Sequence, residues 1–176
     1  MDDVAAAAGV SKGSLYDYFS SKEDLFYAVF EWLQRKLLDA SIAGIAPGTN
    51  ARAQVAAFAE AAVAALAAHV EFYPVTLELR SAAAKPASRA RFATAIRELY
   101  SNYRDAVAAL IGVAQANGEI VTDVNADDLA AVLIGAVDGV FLQYWLDPSF
   151  DPKSRLHAFI ENLFGGIGTG KADAKS

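Results

Sequence analysis

Apolar positions recur along the chain at three- and four-residue intervals, the repeat of a helix that buries one face. One run holds Leu25, Val29, Trp32, Leu33 and Leu37. A second holds Leu129, Val132, Leu133, Ala136, Val137, Val140, Phe141, Tyr144 and Trp145, and a third Leu156, Phe159, Ile160, Leu163 and Phe164. No segment alternates with the two-residue period of a half-buried strand, and no internal repeat is present. Punctuation between the runs predicts helices over residues 2–8, 12–18, 21–42, 51–69, 71–84, 86–116, 126–146 and 152–164. Gly9 suits the left-handed position that ends a helix, and Ser11 suits an N-cap, with Val10 and Leu15 at the spacing of a hydrophobic staple. Ser20 and Glu23 are spaced as a capping box. Pro47 and Gly48 mark a linker over 44–50, Pro74 falls in a first helical turn, and Pro86 opens a long helix that Asn117-Gly118 closes. Asn125 caps the next helix, with Asp127 and Asp128 in its first turn, where acids complement the dipole. Asp147-Pro148 stops it, and Asp151-Pro152 starts the last as N-cap and N1. The reading is all-α: residues 1–43 a head with a connecting helix, 44–165 a larger helical body, and 166–176 a tail expected to fray.

Composition supports this picture and removes several chemistries. The chain is 55% apolar with 5 prolines, so it can bury a core and favours helix. It has no cysteine, which rules out disulfides, thiolate zinc sites and cysteine nucleophiles and makes a reducing cytoplasm the expected compartment. A net charge of -6 argues against a histone-like coat for nucleic acid, yet leaves room for a small DNA-binding head on an acidic body. Met1-Asp2-Asp3 is acidic where a secretion signal is basic. Residues 129–146 are long enough to span a membrane, but Asp138 at their centre would cost about 2.5–3.5 kcal/mol there, so a buried helix and no membrane partner are expected. The 2 histidines, His69 and His157, lack metal-ligand spacing, and Gly165-Gly166-Ile167-Gly168 follows no strand. No metal, cofactor or catalytic residue is therefore expected, and the chain is read as not an enzyme.

The informative stretch runs from Asp3 to Leu25: a helix, a tight turn at Gly9, then a short capped helix. Two helices joined in this way cross steeply, so the second can project. Its polar residues Lys12, Ser14, Tyr16, Asp17 and Tyr18 have the size and chemistry to enter a DNA major groove, while Leu15 and Phe19, four apart, face inwards. The run Gly9-Val10-Ser11-Lys12-Gly13-Ser14-Leu15-Tyr16, followed by Phe19, Ser21-Lys22-Glu23 and Leu25, resembles the DNA-binding head of the TetR (tetracycline repressor) family. The resemblance implies a ligand-responsive transcriptional regulator, a repressor, with a helix-turn-helix head and an orthogonal helical-bundle body. It implies that Lys12, Gly13, Ser14 and Asp17 meet base edges or nearby phosphates and that Tyr16, Tyr18 and Lys22 contact phosphates. Two readings stand for Asp17: it accepts from a cytosine amine, or DNA merely tolerates it. Each tyrosine likewise has a purely structural alternative.

The family head has three helices, and Met1 falls at the start of the second, so the head is expected to be incomplete. Val4, Ala5, Ala8 and Leu15 would then be partly wet. Residues 1–36 carry four cations against six carboxylates, a net -2. The chain as written is thus expected to fold and dimerise but to bind operator DNA weakly or not at all, with a DNA-independent dimer or ligand-binding module as the alternative function. The resemblance further implies a homodimer built by the last two helices, through Val132, Ala136, Val140 and Tyr144 on one and Leu156, Phe159, Ile160 and Leu163 on the other. It also implies a pocket for a small hydrophobic or aromatic effector inside the body. Candidate lining residues are Phe58, Ala62, Phe72, Tyr73 and Leu77 from the first half of the body, and Tyr100, Tyr103, Val107, Ile134, Asp138 and Phe141 from the second. Asp138, mid-helix among apolar residues, needs a partner if buried; Arg80, Arg97, Arg104 and Tyr103 are the candidates.

Overall fold

Among the described residues, eight α-helices form close to where the apolar periodicity predicts them, and no strand is present. The structure, a computed structural model, describes residues 1–46, 49–84 and 89–167, without the side chains of Arg89 and Ile167. The helices are α1 (Asp2–Ala8), α2 (Lys12–Tyr18), α3 (Lys22–Ala43), α4 (Ala51–Ala68), α5 (Tyr73–Ala84), α6 (Arg89–Ala116), α7 (Ala126–Leu146) and α8 (Pro152–Ile167). The chain divides into a unit of residues 1–35 and a second unit from Lys36 onwards, with α3 running through the boundary.

In the first unit, Gly9 takes φ 67°, and the amides of Gly9 and Val10 donate to Ala6 and Ala5, closing α1 with a double turn that needs a left-handed residue. Ser11 Oγ accepts from the Ser14 amide at 2.9 Å and starts α2. Ala5 and Leu15 are buried, so neither is left wet as expected, whereas Val4, Ala8 and Val10 are exposed. The cap of α3 lies one residue later than the expected box. Ser21 Oγ accepts from the Asp24 amide at 3.0 Å, and Ser20 Oγ donates to the Asp24 carboxylate. Asp24, three residues after the cap at Ser21, thus takes the place expected of Glu23.

Helix α6 is the axis of the body: it packs against α4, α5 and α7, while α8 closes over α4 and α7. Their meeting faces bury Val55, Phe58 and Val63 from α4, Val107 and Ile111 from α6, Leu133 from α7, and Leu156, Ile160 and Phe164 from α8. The start of α4 is held twice. Asn50 Oδ1 accepts from the Ala53 amide at 2.8 Å, and Glu119, on the α6–α7 connection, accepts from the Ala51 amide at 2.8 Å. Gly118, at φ 72°, turns the chain there. Gln115 then ties the connection down by donating to the Val121 and Val124 carbonyls at 3.1 and 2.7 Å.

Two boundaries differ from expectation by more than one residue. The turn before Pro74 is a short 3₁₀ segment (Val70–Phe72), which places Pro74 at the second position of α5. Helix α8 continues through Gly165 and Gly166 to Ile167, because Phe164 is buried and carries the last turn with it. The expected helix start at Pro86, the Pro47-Gly48 linker and residues 168–176 of the expected tail lie outside the described residues.

Candidate nucleic-acid interface and body site

Helix α2 presents two unlike faces. Leu15 is buried and Phe19 half-buried, whereas Lys12, Gly13, Tyr16, Asp17 and Tyr18 are exposed, Tyr18 to 83%. Ser14 is half-buried, its hydroxyl 2.9 Å from that of Ser11. A side chain at Gly13 would meet only the Ser11 hydroxyl, so glycine there leaves the backbone open to close approach rather than relieving a clash. Lys22, exposed at the first position of α3, follows directly. The seven residues expected at DNA therefore lie on one short segment, and none is consumed by the core except in part Ser14. One contact was not anticipated. Lys12 Nζ lies 2.8 Å from Asp2 Oδ1 and 3.0 Å from Oδ2, so α1 already occupies the lysine. The ten-residue separation spans a turn and carries no periodic signal in the sequence.

The body holds a polar cluster of three helices. Asp138 of α7 accepts from Arg80 Nη2 of α5 at 2.8 Å and from the Tyr100 hydroxyl of α6, and Arg80 Nη2 also lies 2.8 Å from the Tyr100 oxygen. Asp138 thus finds Arg80, the first of its four candidate partners. Arg97 instead turns back to the Ala93 carbonyl and Thr94 on its own helix. Burial would lower the Arg80 pKa, but the Asp138 charge raises it overall. Burial, the hydrogen bond to Asp138 and its charge all push the Tyr100 phenol up, so it stays neutral. Tyr103 is pushed up mainly by burial; its phenol meets the Ser41 hydroxyl, which donates to the Leu37 carbonyl at 2.8 Å.

Aromatic rings adjoin the cluster. Tyr73 meets Phe141 edge-on at 4.9 Å between centroids and Trp145 at 5.5 Å, and Tyr144 lies 5.7 Å from Phe141. Of the residues expected to line a pocket, Leu77, Tyr100, Tyr103, Ile134 and Asp138 are half-buried. Phe58, Ala62 and Val107 are buried on α4 and α6, and Tyr73 and Phe141 are buried in ring contact with each other. Phe72 sits apart, half-buried in the 3₁₀ turn against His69. Arg80 and Trp145 join these contacts and were not among the expected lining residues; only Asp138's need for a partner pointed to Arg80. A depression of about 390 Å³ lies elsewhere, lined by Glu60, Asp151, Lys153, Ser154 and His157. Within it, Glu60 takes His157 Nδ1 at 2.9 Å and Lys153 Nζ at 3.3 Å.

The expected dimer residues separate into two groups. Val132 (60% exposed) and Phe159 (38%) face outwards, and Ala136, Val140, Tyr144 and Leu163 are half-buried. Leu156 and Ile160 are a correction. Both have 0% exposure inside the subunit's own core, because α8 turns this stripe towards α4 and α7. The outward face of α7 instead carries Val132, Gly135, Gly139, Leu142 and Leu146, again at intervals of three and four. A Cβ on either glycine would meet nothing, so the stripe is narrow and open. Helices α4 and α7 are long and apolar enough to cross a membrane by length and composition alone, but both pack within the body.

Comparison with known proteins supplies the context. Residues 1–29 match the family model for bacterial regulatory proteins of the tetR family, and residues 51–168 match the C-terminal model of BetI-type transcriptional repressors. Among solved structures, a transcriptional regulator from Rhodococcus sp. Rha1 is 26% identical, with 94% of this chain aligned to 83% of that one at a TM-score of 0.72. The fatty acid degradation regulator FadR from Bacillus halodurans is 23% identical (94% and 87% covered, TM-score 0.78), and a TetR transcription regulator from Haloarcula marismortui is 19% identical (94% and 85%, TM-score 0.79). No curated protein matches the chain.

Proposed function

The chain belongs to the TetR family of bacterial transcriptional regulators, and from that membership we propose that it is a cytoplasmic repressor whose hold on operator DNA is released by a small hydrophobic or aromatic effector. Regulators of this family bind operator DNA, act as dimers and are not enzymes. The single observation that carries the DNA half is the exposed polar face of α2, seated on a turn that Gly9 closes and continued by Lys22. In this reading Lys12, Gly13, Ser14 and Asp17 read base edges or their neighbouring phosphates, and Tyr16, Tyr18 and Lys22 grip phosphates. Two heads, one on each subunit, match half-sites about one DNA turn apart.

The effector half rests on the Arg80–Tyr100–Asp138 cluster and the rings beside it: a few convergent polar groups in an apolar wall, the make-up of a small-molecule site. Leu77, Tyr103 and Ile134 complete its half-buried surroundings. An effector releases DNA only if it binds the DNA-incompetent arrangement more tightly than the competent one. Dimerisation is assigned to the outward stripes of α7 and α8, through Val132, Leu142, Leu146, Phe159 and Leu163.

Selection of binding sites from a random duplex pool by the full chain tests the DNA reading, followed by anisotropy titration of the enriched site. Lys22→Ala is expected to weaken binding on every sequence, as a phosphate contact should, and Lys12→Ala to weaken it most on the enriched one. Equal binding by both variants and the parent would refute the assigned surface. A DNA-independent module is the second reading, favoured by the net -2 of residues 1–36. It predicts that no sequence is enriched.

A further inference from the structure

Lys12 is the first residue of α2 and the only lysine on it. In the free protein its ammonium, though exposed, is already paired, because both carboxylate oxygens of Asp2 lie within 3.0 Å of it. Asp2 is the first residue of α1, and Gly9 folds α1 back so that the two helix starts meet. The Asp2 carboxylate offers Lys12 two acceptor oxygens at hydrogen-bonding distance, as a DNA phosphate does. DNA must therefore exchange one ion pair for another at this position, rather than gain a new one.

We propose that Asp2 is a positioning residue for DNA recognition: it competes with DNA for Lys12 and sets the affinity of the head. The proposal rests on the assignment of α2 to DNA. Exchange weakens binding wherever Lys12 would merely meet a phosphate, since the gain is offset by the pair that is lost. Where Lys12 can reach acceptors on a base edge, the geometry of the new contact decides the outcome. Asp2 thus disfavours non-specific duplexes most. The pair is exposed on both sides, and exposed ion pairs are weak and screened by salt, so the effect is several-fold and greatest at low salt.

The full chain and three single variants, Asp2→Asn, Asp3→Asn and Lys12→Ala, together with Asp2→Asn combined with Lys12→Ala, are titrated into a fluorescein-labelled 30-base-pair duplex of mixed sequence. Asp3 neighbours Asp2 in the same helical turn and carries the same charge, and no contact to Lys12 involves it. Asp2→Asn is expected to tighten binding by roughly 1.5- to 5-fold at low salt, more than Asp3→Asn does. The advantage shrinks as salt shortens the screening length below about 10 Å, and it vanishes in the Lys12→Ala background. If Lys12→Ala weakens binding while Asp2→Asn matches the parent, the proposal fails and the assignment of α2 stands. If Asp2→Asn tightens binding equally without Lys12, Asp2 acts on DNA directly and the proposal fails. If removing Lys12 changes nothing even in the Asp2→Asn background, where no pair is lost on binding, the α2 assignment itself fails and takes the proposal with it. A DNA-free measurement stands beside these. Trace acetylation of the lysines, read by mass spectrometry, should modify Lys12 several-fold faster in Asp2→Asn than in the parent, since the paired ammonium holds its proton more tightly. An unchanged rate overturns the proposal whatever the affinity.

Discussion

Leu156 and Phe159 lie three residues apart on α8 and separate two consequences of the fold. Leu156 has 0% exposure within its own subunit and belongs to the core shared by α4, α6, α7 and α8, whereas Phe159 is 38% exposed and faces out. Truncating Leu156 to alanine removes fully buried methyl groups and leaves a cavity, a change that costs about 2–5 kcal/mol. In a chain of this size about 1 kcal/mol moves Tm by roughly 2–4 °C, so a mid-range loss of about 3 kcal/mol lowers Tm by roughly 6–12 °C. Phe159→Ala removes no core packing of that kind. On the proposed dimer face it is expected to cost about 1–2 kcal/mol of association, a rise in the dimer dissociation constant of roughly 5- to 30-fold. Circular-dichroism melts over a hundredfold range of protein concentration, with sedimentation equilibrium on the same samples, distinguish the two. Leu156→Ala should lower Tm at every concentration and leave the association constant near that of the parent. Phe159→Ala should weaken association and lower Tm most at the lowest concentration, because mass action then favours the monomer. The reasoning is refuted if Leu156→Ala dissociates the dimer while its Tm stays within about 1 °C, since Leu156 would then face a partner subunit rather than its own core.

Three further outcomes follow from the packing. Asp138→Ala strips Arg80 and Tyr100 of their shared acceptor and is expected to cost about 1–3 kcal/mol in urea unfolding, with Asp138→Asn milder because it still accepts a hydrogen bond; a neutral Asp138→Ala would mean that solvent satisfies Arg80 equally well. Burial opposes ionisation of Glu60, but hydrogen bonds from His157 and Lys153 outweigh it and hold its carboxyl below the ordinary value. A depressed carboxylate contributes stability that is present above the unfolded value of about 4.3 and is lost as pH falls through the lower folded value, so Glu60→Gln should flatten the fall of Tm in that window; identical acid profiles would count against the pair. Gly44→Ala would drive a methyl group into Ala61 of α4 and should cost about 1–3 kcal/mol through overpacking, measured by thermal melting, whereas a stabilised variant would show that the α3–α4 connection yields freely.

Much of this was legible in the sequence because it is local. Gly9, Ser11, Asn125 and Asp151 announce helix ends through backbone chemistry that acts within four residues, and each one caps or closes a helix. The α2 surface could be read because Leu15 and Phe19 mark the inward face and leave the others outward. Asp138 advertised its need for a partner, since a carboxylate among apolar neighbours must find one. What periodicity could not supply is the direction of a stripe. The apolar stripe on α8 reads equally well as core or interface, and only the crossing of α8 over α4 and α7 turned Leu156 and Ile160 inwards while leaving Phe159 outside. The narrow stripe with Gly135 and Gly139 was hidden for the same reason, as small residues add little to a hydrophobic pattern. The pairing of Lys12 with Asp2, the cluster of Arg80, Tyr100 and Asp138, and the Glu119 bond to the start of α4 join residues 10, 20 to 58, and 68 positions apart. Such contacts depend on how helices are laid against one another, which is settled by the fit of whole faces rather than by any short segment. The sequence by itself therefore determined the helices, most of their ends and the family, whereas the tertiary packing decided which apolar stripe is core, which half-buried groups meet, and that the leading lysine of α2 is already engaged.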